Sequence, residues 1–150
     1  MSAETDMIKL YSGRILELAA DIPHHQRLDN PQATVRKRSP VCGSMVTVDV
    51  DLADGRLVRF GQDVKACALG QAAAAVVGGA AIGATRPQIE AARDALRAML
   101  KEDGPTPPAP FEGFEVLRPA REYRNRHASI LLSIEALAEA MAEVEAHHTA

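Results

Sequence analysis

At 150 residues the chain has the length of one domain. Its make-up, 47% hydrophobic and 25% charged, is that of a globular protein and excludes wholesale disorder. A formal net charge of −3 argues against a nucleic-acid or anionic-membrane surface. With no Trp and 3% aromatic residues, Ala, Val, Leu and Ile must fill the core.

The amino terminus is acidic at once and lacks a basic stretch leading into an apolar one, so no signal peptide is expected. Ile8, Tyr11, Ile15, Leu18 and Ile22 recur at steps of three and four, which predicts a helix capped by Ser2 or Thr5 and stopped by Pro23. From His24 to Pro40 the prolines, a turn-like Asp29-Asn30-Pro31 and four basic residues read as a loop, with a short edge strand at Ala33 to Arg36. The period then changes. Val46, Val48, Val50 and Leu52 alternate with Thr47, Asp49 and Asp51, which predicts a strand with one buried face and both aspartates turned to solvent. Ala53-Asp54-Gly55-Arg56 is hairpin chemistry, and Leu57 to Phe60 returns as the second strand.

The window from Ala66 to Ala84 is long enough to consider as a membrane span, but Ala and Gly dominate it and Gln71 sits inside. A buried helix ending near Gly78-Gly79 is the expectation, in a soluble, cytoplasmic protein. Thr85, Pro87 and Gln88 form a capping box with proline in the first turn, opening a helix that buries Ile89, Ala92, Leu96 and Leu100. Gly104 ends that helix, and the run from Gly104 to Pro110 is a stiff connector. A last helix from about Arg124 to Ala146 buries Ile130, Leu131, Ile134, Leu137, Ala138 and Met141. The order of elements predicts an α+β fold: a small antiparallel sheet of two or three strands packed against an N-terminal helix and three or more C-terminal helices.

The two cysteines cannot build a disulfide framework. Cys42 precedes the first strand of the hairpin, and Cys67 stands where the second hands over to a helix, a position that suits a reactive or metal-binding thiolate. Both can equally be small buried hydrophobes, as free cysteines often are. His127, at the basic start of the last helix, would complete a metal-competent set if it converged on the two thiols; taken alone it reads as a surface residue. His24-His25 could bind metal, and an exposed polar loop explains them equally well; His147-His148 read as tail. No phosphate loop, nucleophile elbow, H-E-x-x-H or C-x-x-C motif occurs.

Three ordered landmarks resemble the U-type iron–sulfur scaffold family, that is IscU, SufU and the NifU amino-terminal domain. Ser39-Pro40-Val41-Cys42-Gly43 is similar to its Asn-Pro-x-Cys-Gly-Asp, and Phe60-Gly61 leading to Cys67-Ala68-Leu69-Gly70-Gln71-Ala72 to its Gly-Cys-Ala-Ile-Ser-x-Ala-Ser. Leu117-Arg118-Pro119-Ala120-Arg121 followed by His127-Ala128-Ser129-Ile130-Leu131 resembles its proline-rich basic segment and the helix start carrying its third cysteine. The resemblance covers about residues 7 to 145 and implies a non-enzymatic scaffold. Such a protein takes sulfur from a cysteine desulfurase and iron from a donor. It holds a transient cluster, usually 2Fe–2S, on three cysteines and an aspartate, and passes it to apo iron–sulfur client proteins. Members also bind zinc in the same site.

The departures are specific. Ser44 stands where the family has aspartate, and the third cysteine falls on Ala128 or on Ser129, depending on whether His127 or Ala136-Leu137 anchors the match. The resemblance therefore implies Cys42 and Cys67 as ligands of iron, a cluster or zinc, with His127 as the nearest substitute. A further ligand would come from water, a small thiol, a partner or a second protomer, so a homodimer is among the expected forms. Two other readings stay open: a zinc-containing sulfur-transfer partner of a desulfurase with a persulfide on Cys67 or Cys42, and a metal-free binding module docking through Arg121 to Arg126.

Overall fold

The computed structural model describes residues 12–40 and 43–148. Helix α1, Gly13–Ala20, is capped by Ser12, whose Oγ accepts from Ile15 N at 3.5 Å, and it ends before Pro23. The expected caps Ser2 and Thr5, with Ile8 and Tyr11, lie outside the described residues. Strand β1, Ala33–Arg38, pairs antiparallel with β2, Met45–Ala53, which pairs antiparallel with β3, Arg56–Lys65, giving the order β1-β2-β3. The edge strand and the second hairpin strand are both longer than the sequence suggests.

Register explains the layers. Val46, Val48, Val50 and Leu52 share one face with Ala33, Val35, Phe60 and Val64, and all eight are buried. Helix α4, Arg124–His148, packs on this face against β1 and β2, and is itself flanked by α2, Ala68–Ala80, and α3, Arg86–Glu102. Every residue expected in the buried stripes of α3 and α4 is buried. The capping box of α3 forms as read: Thr85 N donates to Gln88 Oε1 at 2.9 Å, and Gln88 N to Thr85 Oγ1 at 3.4 Å.

Three features refine the expectations. Helix α2 ends at Ala80, one residue past the expected stop near Gly78-Gly79. A Cβ at Gly78 would meet Pro23 O at 2.6 Å, so glycine is what lets α2 seat against the chain leaving α1. A run of 3-10 helix, Glu112–Glu122, lies between the proline connector and α4, burying Phe114, Leu117 and Ala120.

The third feature corrects an expectation: Asp49 is fully buried rather than facing solvent. The loop between α1 and β1 crosses the outer sheet face and delivers its partners. Arg27 donates through Nε at 2.6 Å and Nη2 at 3.1 Å, Leu28 N at 3.0 Å and Thr34 Oγ1 at 2.6 Å. Burial pushes the Asp49 carboxyl up, but the hydrogen bonds from Arg27, Thr34 and Leu28 and the charge of Arg27 together outweigh it, so the net shift is down. Asp51 stays near the surface in an ion pair with Arg59 at 2.6 Å. Among the described residues, no helix is long and apolar enough to cross a membrane.

Candidate functional site

Strand β3 ends at Lys65, and Cys67 becomes the residue that opens α2, with extended backbone and no side-chain cap. It is half-buried and carries a free thiol. Two serines from distant segments meet there. Ser44 sits just before β2, where Ser39 N donates to Ser44 O at 2.8 Å and Gly43 N to Ser39 O at 3.2 Å. Ser129 lies in the second turn of α4. The two hydroxyls are hydrogen-bonded at 2.9 Å, and Ser129 Oγ lies 3.6 Å from Cys67 Sγ. Ser44 and Ser129 are 4% and 1% exposed, so this is an interior polar junction reaching the surface at the thiol. Cys42 lies outside the described residues.

His127 goes elsewhere. At about 100° per residue, two steps along α4 turn its side chain some 200° from that of Ser129. It is buried, with Nε2 placed 3.1 Å from Ala120 O and 3.0 Å from Arg121 O. A carbonyl only accepts, so Nε2 carries the hydrogen and is committed to these two groups. The ring lines a cleft of about 1220 Å³ with Arg97, Lys101, Arg121, Arg124 and Glu135. The structure thus brings Ser129, rather than His127 or Ala128, to Cys67. Ser129 shares its face of α4 with Ser133, one turn on, which also faces the core and donates to Gln62 Oε1 at 3.0 Å.

His25 accepts a hydrogen bond from Val64 N at 3.3 Å, and the His24 ring meets Phe60 edge-on at 6.1 Å; both belong to the crossing loop. Among the described residues, no three His, Cys, Asp or Glu side chains are grouped to hold a metal ion. The described junction offers one thiol and two neutral hydroxyls.

No family model matches the sequence, and no curated protein matches it. Solved structures do. The N-terminal part of a nitrogen-fixing NifU-like protein from Brucella abortus is 41% identical, covers 94% of this chain and 98% of its own, and superposes with a TM-score of 0.91. A hypothetical protein at 23% identity covers 89% and 97% with a TM-score of 0.77. An iron–sulfur cluster assembly scaffold protein for the SUF system, from the thermophile Fervidobacterium islandicum AW-1, is 19% identical, covers 93% and 99% and has a TM-score of 0.78. The last two show the shared fold alone. The first, matched over nearly the full length of both chains, shows that this chain belongs to the U-type scaffold family as a NifU-like N-terminal domain.

Proposed function

We propose that this chain is a non-enzymatic scaffold or carrier of iron–sulfur assembly. It holds iron or a transient 2Fe–2S cluster as cargo on the thiolates of Cys67 and Cys42 and passes it to apoproteins. The observation that carries the reading is the junction at Cys67, where three segments far apart in sequence meet at a surface-reaching thiol, in a fold 41% identical to a NifU-like protein. Thiolates are soft ligands suited to iron, and a thiol at a helix start beside a loop is open to partners. The partners implied are a cysteine desulfurase as sulfur source and apo iron–sulfur clients. His127 is left out of this ligand set because its ring lies in the separate cleft, about 200° round α4 from Ser129; its Nε2 hydrogen ties the 3-10 run to α4.

The neutral Ser44–Ser129 pair favours a second reading, in which Cys67 or Cys42 accepts sulfane sulfur from a desulfurase persulfide, with zinc as the resident metal. Transfer separates the two. Protein loaded without oxygen should restore an apo-ferredoxin's visible absorbance, and Cys67→Ala and Cys42→Ala should each abolish it. A mass gain of one sulfur on either cysteine, with no iron bound, would favour the second reading.

A further inference from the structure

We infer that Ser44 and Ser129 are the specificity-determining residues of the Cys67 site: they set neutral hydroxyls beside the thiol and so keep the site from closing around an ion. The inference rests on the reading of Cys67 as the cargo thiol. Two thiolates bound to one tetrahedral ion, with bonds of about 2.3 Å, stand roughly 3.8 Å apart. The Ser129 oxygen lies 3.6 Å from Cys67 Sγ, and the Ser44 oxygen is a further 2.9 Å from Ser129. The Cys67–Ser129 separation is therefore close to that of two ligands, whereas the two serine oxygens stand at hydrogen-bond distance from each other.

The atoms are not those of a metal site. A serine hydroxyl stays neutral and is used here as hydrogen-bond donor and acceptor, whereas iron and zinc are held by thiolates, imidazoles and carboxylates. The two hydroxyls are hydrogen-bonded to one another in the interior, at 4% and 1% exposure. The first turn of α2 packs close against Ser129: a Cβ at Gly70 would come within 2.6 Å of its Oγ, so glycine is what permits the approach. With two cysteines in the whole chain, a single copy supplies at most half of the four thiolates that an all-cysteine 2Fe–2S cluster takes. The serines thus set how tightly the site grips, making it a place where cargo rests briefly.

The test compares wild type, Ser129→Cys and Ser44→Asp/Ser129→Cys. Each is loaded without oxygen with ferrous iron and sulfide in a phosphine reductant, so that no small thiol serves as ligand. Retained iron is followed under a fixed excess of chelator, and cobalt(II) loading reports thiolate number through its sulfur-to-cobalt absorption. Ser129→Cys should keep iron about tenfold longer than wild type or more, with a stronger cobalt–thiolate band, and Ser44→Asp should add to it. Because Ser129→Cys is nearly isosteric, it decides the matter even if the buried carboxylate of the double variant unfolds the protein. Folded Ser129→Cys that loses iron at the wild-type rate, with an unchanged cobalt band, overturns the inference and leaves the scaffold reading standing. Iron held by Ser129→Cys but never by wild type overturns the scaffold reading of the natural chain and, with it, the inference that cargo rests there briefly.

Discussion

The sheet carries buried polar side chains on both of its faces, and two of these sets, around Asp49 and around Ser129, are built on opposite principles. Under the crossing loop, Asp49 is a full charge with four hydrogen bonds to its carboxylate oxygens, one partner a guanidinium. On the helix side, Ser44, Ser129 and Cys67 form a neutral chain whose end reaches solvent. A buried charge is tolerable only when its partners are nearly complete, and such a group fixes structure. Neutral hydroxyls cost less to bury and leave the thiol at the end of their chain facing solvent. Charge and enclosure on one side, neutrality and an accessible thiol on the other, separate the two.

The comparison breaks most easily at Asp49. Asp49→Ala should destabilise the protein by roughly 2–3 kcal/mol, since charged hydrogen bonds are lost and the loop loses its anchor; urea denaturation measures it. The pH dependence has a fixed sign. The folded carboxyl lies below its ordinary value, so its contribution is fully present above the unfolded carboxylate range, near 4, and is lost as pH falls through the folded value. Asp49→Asn should therefore flatten the acid limb of stability against pH; an unchanged limb would contradict the assignment.

Smaller effects sharpen the contrast. Ser129→Ala should cost about 1 kcal/mol, the size of one neutral hydrogen bond, because the Ser44–Ser129 bond is lost. His127→Gln should leave cargo uptake on Cys67 unchanged while lowering the melting temperature; loss of uptake at wild-type stability would return His127 to the ligand set. Arg59→Ala, which removes the half-exposed pair with Asp51, should change stability by about 0.5 kcal/mol or less. Arg27→Ala on the buried partner should exceed it clearly.

What the sequence made legible was local. The hairpin, the Thr85–Gln88 capping box and the stripes of α3 and α4 follow from alternation, capping and 3.6-residue spacing, and the structure repeats them. The misses came from contacts across the chain. Alternation placed Asp49 correctly on the polar face, but its cover arrives from Arg27 and Leu28, and no pattern at Asp49 announces that. Gly78 reads as a helix stop until Pro23 is seen against it. The 3-10 run from Glu112 has neither strand nor helix period, and Pro119 argues further against a helix. At the site, Cys67 was found from its position at a helix start. Choosing Ser129 over His127 needed the rotation of α4 about its axis, which residue spacing within a weakly patterned helix start leaves open.

The most direct measurement is iron and acid-labile sulfide in protein prepared without oxygen, for wild type and Cys67→Ala side by side. Iron and sulfide bound together in wild type and lost in Cys67→Ala are what the junction at Cys67 predicts. Equal amounts in the two proteins, or none in wild type, would contradict it.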